Sequence, residues 1–167
     1  MSRLRRLLVS GKMFFVTCCL ARGCANLGAA ELDILARAVA RVRERRHFLL
    51  SGYVFMPDHW HALIAPAARD ELPQVMNALK VAAAHDINRH RRAMGQVWQR
   101  RYYEHIVGHV REYRDVVQYM HLNPVGKGLA KKPEEWAWSS IHSYGGPGPV
   151  QLEIDKLDLP ADEKARL

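Results

Sequence analysis

Short strand-like runs and long helical stripes succeed one another along this chain in the order β-α-β-β-α-β, and few folds accept that order. Residues 13–20 (Met-Phe-Phe-Val-Thr-Cys-Cys-Leu) are rich in β-branched and aromatic side chains and end at an Ala-Arg-Gly turn. From Glu31, the residues Leu32, Leu35, Val39 and Val42 recur at helical spacing, with arginines on the outer face. Residues 48–55 and 60–65 read as two strands joined through Pro57 and Asp58, which supply turn chemistry. A second amphipathic helix spans about 72–92, striped by Leu72, Val75, Met76, Leu79, Ala83 and Ile87, and a shorter strand covers 102–107. The expected class is therefore α+β, a ferredoxin-like split βαβ antiparallel sheet, with both early helices on one face and the other face free for chemistry. A third helix, 110–122, is added to this unit and is expected to stop near Asn123, because Pro124 disfavours helix in the residue before it.

At 167 residues the chain has the length of one domain. We place that domain at 1–144. Beyond it, the breakers Gly145-Gly-Pro-Gly-Pro149 and a charged end predict a loosely held tail over 145–167, while Trp136 and Trp138 are expected to dock the segment before it. Three cysteines, Cys18, Cys19 and Cys24, lack paired spacing and read as reduced cytosolic thiols. The first residues are basic and then apolar, but the run is too short for a signal segment, and no stretch approaches a membrane span. These features predict a cytoplasmic, nucleoid-associated protein. A formal net charge of +8 makes nucleic acid the first partner to consider.

His59 and His61 sit one residue apart in the strand 60–65 and its approach, so both imidazoles face one way, roughly 6–7 Å apart, and Trp60 faces the other. Two imidazoles so placed can share a divalent ion, or they are ordinary polar residues on a half-exposed face. On the third helix, Tyr113, Val116, Val117 and Met120 define the buried stripe. Tyr119 and Asn123, four apart, share a different flank, where a phenol and an amide oxygen face the same point. An oxygen donor beside two imidazoles suits Mg²⁺ or Mn²⁺ acting on phosphate, although a flanking tyrosine can equally be a core-edge residue.

Four segments together carry a resemblance: Met56-Pro-Asp-His-Trp-His-Ala-Leu-Ile64, Val97-Trp-Gln-Arg-Arg-Tyr-Tyr-Glu-His105, Tyr119-Met-His-Leu-Asn-Pro-Val-Gly-Lys-Gly-Leu129 and Trp138-Ser-Ser140. In order and spacing, from about Lys12 to Tyr144, the chain resembles the REP-associated tyrosine transposases of the HUH superfamily of single-strand nucleases. The resemblance implies that His59 and His61 bind the metal, that Asn123 is its third, amide ligand, and that Tyr119 is the nucleophile. It departs from the family at Asp58, where Asn or Glu is usual, at the bulky Trp60, and at Gly126-Lys-Gly, which replaces a more basic stretch.

The implied activity is metal-dependent cutting and rejoining of single-stranded DNA at palindromic hairpins through a 5′-phosphotyrosine bond, with Mg²⁺ or Mn²⁺ as cofactor. Candidates for holding single-stranded or hairpin DNA are Lys80, Arg100, Arg101, Tyr102, Tyr103, Lys127, Lys131 and Lys132, through phosphate neutralisation and base stacking. Two alternatives stand beside this: a domesticated, non-enzymatic hairpin-binding protein of the same fold, and a phosphohydrolase in which water attacks. No apolar dimer strand is evident, which favours a monomer over the dimers that related transposases form.

Overall fold

The computed structural model describes residues 2–68 and 71–157. Four strands, β1 (Phe14–Cys19), β2 (Leu49–Phe55), β3 (His59–Ala65) and β4 (Tyr103–Ile106), form one antiparallel sheet in the order β2-β3-β1-β4. This is the order a ferredoxin-like sheet requires, and it puts β3 and its histidines in the interior of the sheet. Helices α2 (Ala29–Arg46) and α3 (Leu72–Arg91) cover one face. Val16, Cys18, Trp60, Ala62 and Ile64 meet Leu35, Val39, Leu79 and Ile87 there, in a single apolar cluster.

The face expected to be free is roofed instead. Helix α4 (Val110–Gly126) lays Tyr113, Val117 and Met120 against Val54, Met56 and Leu63, and a short N-terminal helix, α1 (Arg3–Val9), adds Leu4 and Leu8. No element was expected over 3–9. Its signals are nonetheless present, in Ser2, whose hydroxyl accepts from Arg5 N at 3.3 Å, and in Leu4 and Leu8, four residues apart and both buried. Chemistry is left with the rim of this face, where α4 crosses the start of β3.

Helix α4 also runs past its expected stop. Pro124 lies inside it and leaves the carbonyl of Met120 without the usual donor. The last turn still closes, because Lys127 N bonds Asn123 O at 3.0 Å and Leu129 N bonds Pro124 O at 2.9 Å. Asn123 and Pro124 are both buried, so packing outweighs the local bias against helix before proline and keeps the Asn123 side chain on the helical flank it shares with Tyr119.

Behind α4, two 3₁₀ turns (Pro133–Glu135 and Ser140–Tyr144) wrap the β2 edge. Phe55 N donates to Trp138 O, Trp136 Nε1 donates to Phe55 O, and Trp138 Nε1 donates to Asp33 Oδ1, which docks this segment as expected. Residues 152–155, within the stretch expected to be a loose tail, are packed: Leu152 and Ile154 are buried, Asp155 N bonds Leu50 O, and Asp155 pairs with Arg43 at 2.6 Å. The remainder of that tail, 158–167, lies outside the described residues.

Gly52 decides how closely α4 seats. A methyl group built there would come within 2.9 Å of Met120 Cε and 3.5 Å of Leu63 Cδ1. The methionine tip can shift for an alanine, but a branched side chain must lift the helix. Gly52→Val is expected to destabilise the protein by about 1–3 kcal/mol, read from urea unfolding, while Gly52→Ala costs less; equal midpoints for all three proteins would refute the role given to Gly52.

Candidate metal and nucleophile site

The β1–β3 register puts Cys19 opposite His59 and Thr17 opposite His61, with Val54 of β2 on the other side of His61. His59 and His61 share the α4 face, and Trp60 turns to the opposite one, where its ring meets Trp98 edge-on at 6.4 Å. The imidazoles tilt toward each other, so that their Nε2 atoms stand 3.1 Å apart. Each ring is held from behind. His59 Nδ1 donates to Asp58 Oδ1 at 2.6 Å, and His61 Nδ1 lies 2.7 Å from Thr17 Oγ1, which can accept from it. With both Nδ1 atoms carrying protons, two Nε2 lone pairs point at one place.

Asn123 reaches the same place from α4. Its Nδ2 is 3.3 Å from His61 Nε2, and its Oδ1 is buried without a hydrogen-bond partner. A half-turn of the amide brings that oxygen toward the imidazoles. Two convergent lone pairs and an orphaned buried oxygen are the environment a cation satisfies. Adjacent ligands on an octahedral ion with bonds of about 2.1 Å lie about 3.0 Å apart, which the imidazole spacing of 3.1 Å matches. Among the described residues no group of three or more His, Cys, Asp or Glu side chains is placed to hold a metal. The donor set here is two imidazoles and an amide, and it fits a hard or borderline ion.

Burial first, and the neighbouring His59 second, push the His61 imidazole down to about 3, against the opposing pull of Asp58. His61 is therefore neutral at neutral pH, the state a metal ligand needs. Tyr119 stands at the rim, 52% exposed, its ring 5.4 Å from that of His61. Phe15 touches both, stacked on His61 at 5.2 Å and edge-on to Tyr119 at 6.1 Å, so the three rings form a triangle. Phe15, Thr17 and Asp58 are the members of the site that sequence reasoning passed over. Thr17 and Phe15 carried no signal of their own, because only strand register brings them to His61.

The DNA-binding candidates divide. Tyr103 pairs with Thr17, shares the face of His61 and is 59% exposed, and Lys127 caps the helix that carries Asn123. Arg100, Arg101, Lys131 and Lys132 are exposed. Tyr102 packs on the α2/α3 side, where burial first and Glu104 second raise its phenol to about 12. Lys80 is a tether: its Nζ donates to Arg100 O at 2.7 Å. His121, which the helical wheel set apart from the ligands, is buried and bonded to Ser140 Oγ at 3.0 Å.

The ferredoxin-like sheet is thus crossed by a helix that carries a tyrosine and an amide beside a His-hydrophobe-His pair. The family model for IS200-like transposases matches residues 12–123, and the chain belongs to that family. It is 27% identical over 167 residues to the REP-associated tyrosine transposase of Escherichia coli K12, covering 98% of each protein. A solved structure of a REP-associated tyrosine transposase bound to a REP hairpin matches with a TM-score of 0.72 at 27% identity, over 96% of each chain. A crystal structure of a Deinococcus radiodurans protein, at 19% identity and a TM-score of 0.51, covering 66% of this chain and 88% of its own, shares the fold. No helix among the described residues is long and apolar enough to cross a membrane.

Two outcomes follow from this geometry. Thr17→Val, which removes the partner of His61 Nδ1, is expected to weaken Mn²⁺ binding by about 10–100-fold in calorimetric titration. For pH, the folded-state values of His61 and His121 fall to about 3 and about 4, in both cases chiefly through burial. The unfolded chain, with imidazoles near about 6.5, takes up their protons first. Stability is thus complete above that value and is lost as pH falls toward about 4; a urea midpoint unchanged between neutral pH and about pH 5 would show that these imidazoles are not neutral in the fold.

Proposed function

We propose that this chain is a metal-dependent single-strand DNA endonuclease and strand transferase that acts at palindromic hairpins of the REP type, with Tyr119 as nucleophile. The observation that carries the reading is the meeting of three potential ligands, His59, His61 and Asn123, beside an exposed phenol on the same helical flank as the amide. That the E. coli relative is a REP-associated tyrosine transposase, and that the solved relative is bound to a REP hairpin, supports the substrate class.

When bound, Mg²⁺ or Mn²⁺ would supply Lewis-acid polarisation of the scissile phosphate, held by His59, His61 and Asn123. The protein's own contribution is placement. Phe15 and His61 pack against the Tyr119 ring and hold its hydroxyl at the rim, where single-stranded DNA can reach it. The phenolic oxygen attacks phosphorus and gives up its proton to solvent, the bond to the 3′-oxygen breaks with its electron pair on oxygen, and that oxygen takes a proton from solvent, leaving a 3′-hydroxyl and a 5′-phosphotyrosine. One phosphodiester is exchanged for another, so a second 3′-hydroxyl can reverse the step and join strands without a nucleotide cofactor. Tyr103 offers a stacking surface for an unpaired base next to His61, and Arg100, Arg101, Lys127, Lys131 and Lys132 offer counter-charge to the backbone. Tyr102 and Lys80, by their placement, serve packing and loop anchoring.

Incubation with a 3′-labelled hairpin oligonucleotide and Mn²⁺, followed by a denaturing gel, tests the mechanism. The labelled fragment is expected to travel with the protein, and the adduct to vanish in Tyr119→Phe and with chelator. Strand cleavage that persists in Tyr119→Phe would assign attack to water, and tight hairpin binding without cleavage would leave a binding protein of the same fold.

A further inference from the structure

The basic outer face of α2, which the tyrosine site does not use, closes with α3 into a cleft of about 300 Å³ lined by Ile34, Arg37, Arg41, Asp86, Arg89 and His90. Asp86 is the one acid among these residues, and it is already engaged. Its Oδ2 accepts from Arg41 at 2.5 Å and its Oδ1 from His85 at 3.1 Å, with Arg89 at 3.6 Å. Arg37 has no hydrogen bond or ion pair among the described residues, and the Arg89 side chain is 75% exposed. Two guanidinium groups on opposite walls, one from each helix, are left with donors for an outside anion. Only Ile34 offers apolar contact, so the cleft suits a polyanion better than an apolar ligand.

Charge over the two layers points the same way. Helices α2 and α3 carry eight Lys and Arg against four Asp and Glu, whereas α4 carries two of each. Position connects the cleft to the site. Leu27 N, just before α2, bonds Pro57 O at 2.7 Å, so the start of α2 lies against the turn that presents Asp58 and His59. Arg37 is ten residues further on, about 15 Å along the helix axis. At about 3.4 Å per nucleotide a strand covers that axial length in about four nucleotides, with more needed to round the edge of the sheet.

We infer that the α2/α3 cleft is a second DNA-backbone contact, on the opposite side of the sheet from the tyrosine site, in which Arg37 and Arg89 take phosphates of the strand that runs on from the cleavage site. The inference rests on the DNA-binding reading above and adds to it a surface that the chemistry itself does not need.

Binding of hairpins with short and with long single-stranded flanks, measured by fluorescence anisotropy over a salt series, tests it. The unaltered protein is expected to show a steeper dependence of log K on log salt with the long flank. The double variant Arg37→Gln/Arg89→Gln is expected to lose that increment, about one to two units of slope and about 10-fold in affinity at moderate salt. Arg37→Lys/Arg89→Lys, which keeps the charge, is expected to retain it, which separates lost contact from lost fold. Equal slopes for the unaltered and glutamine proteins on the long flank overturn the inference. Unchanged DNA slopes with lost binding to polyglutamate assign the cleft to an acidic polypeptide and overturn it as well. If the unaltered protein binds no hairpin of either kind, the proposed function fails together with it.

Discussion

The seating of α4 on the sheet is the contact on which the rest of the site depends. Met120 drops into the space above Gly52, where the absent side chain leaves room for the methionine tip. That close approach sets the height of the whole helix, so that Asn123, one turn on, comes within 3.3 Å of His61, and Tyr119, one residue back, leans on the rim beside Phe15. The buried stripe of Tyr113, Val117 and Met120 and the two site residues belong to adjacent flanks of one rigid cylinder. A shift that loosens the core contact therefore moves Asn123 and Tyr119 together.

Around this contact the protein gathers two facing imidazoles and an amide whose oxygen has no hydrogen-bond partner. The His59 and His61 rings are pinned from behind by Asp58 and Thr17, and burial keeps His61 neutral, so the two Nε2 atoms converge as acceptors. The Asn123 oxygen is buried and unpaired beside them. A buried oxygen left unpaired costs stability.

Much of this was legible residue by residue. Strand alternation put His59 and His61 on one face and Trp60 on the other, and the helical wheel separated Tyr119 and Asn123 from the buried stripe and set His121 apart from the candidate ligands. Three features were not. The N-terminal helix was missed because seven residues carry little periodicity, and its stability comes from burying Leu4 and Leu8 against α4. The run of α4 through Pro124 was missed because a local bias against helix was outweighed by burial of Asn123 and Pro124. Thr17 and Phe15 were missed because their role depends on which residue of β3 they oppose.

The sequence by itself determined the order of elements, the face on which each apolar residue lies, and the identity of the groups able to do chemistry, since these follow from local periodicity and side-chain type. Only the tertiary structure decided that α4 covers the face that looked open, that the imidazole lone pairs meet at 3.1 Å with an amide beside them, and that Tyr103 faces the site while Tyr102 does not. The physical reason is that, the His59–His61 pair apart, these are relations between segments 40 to 100 residues apart in the chain, fixed by strand register and by how deeply one helix sits on a glycine.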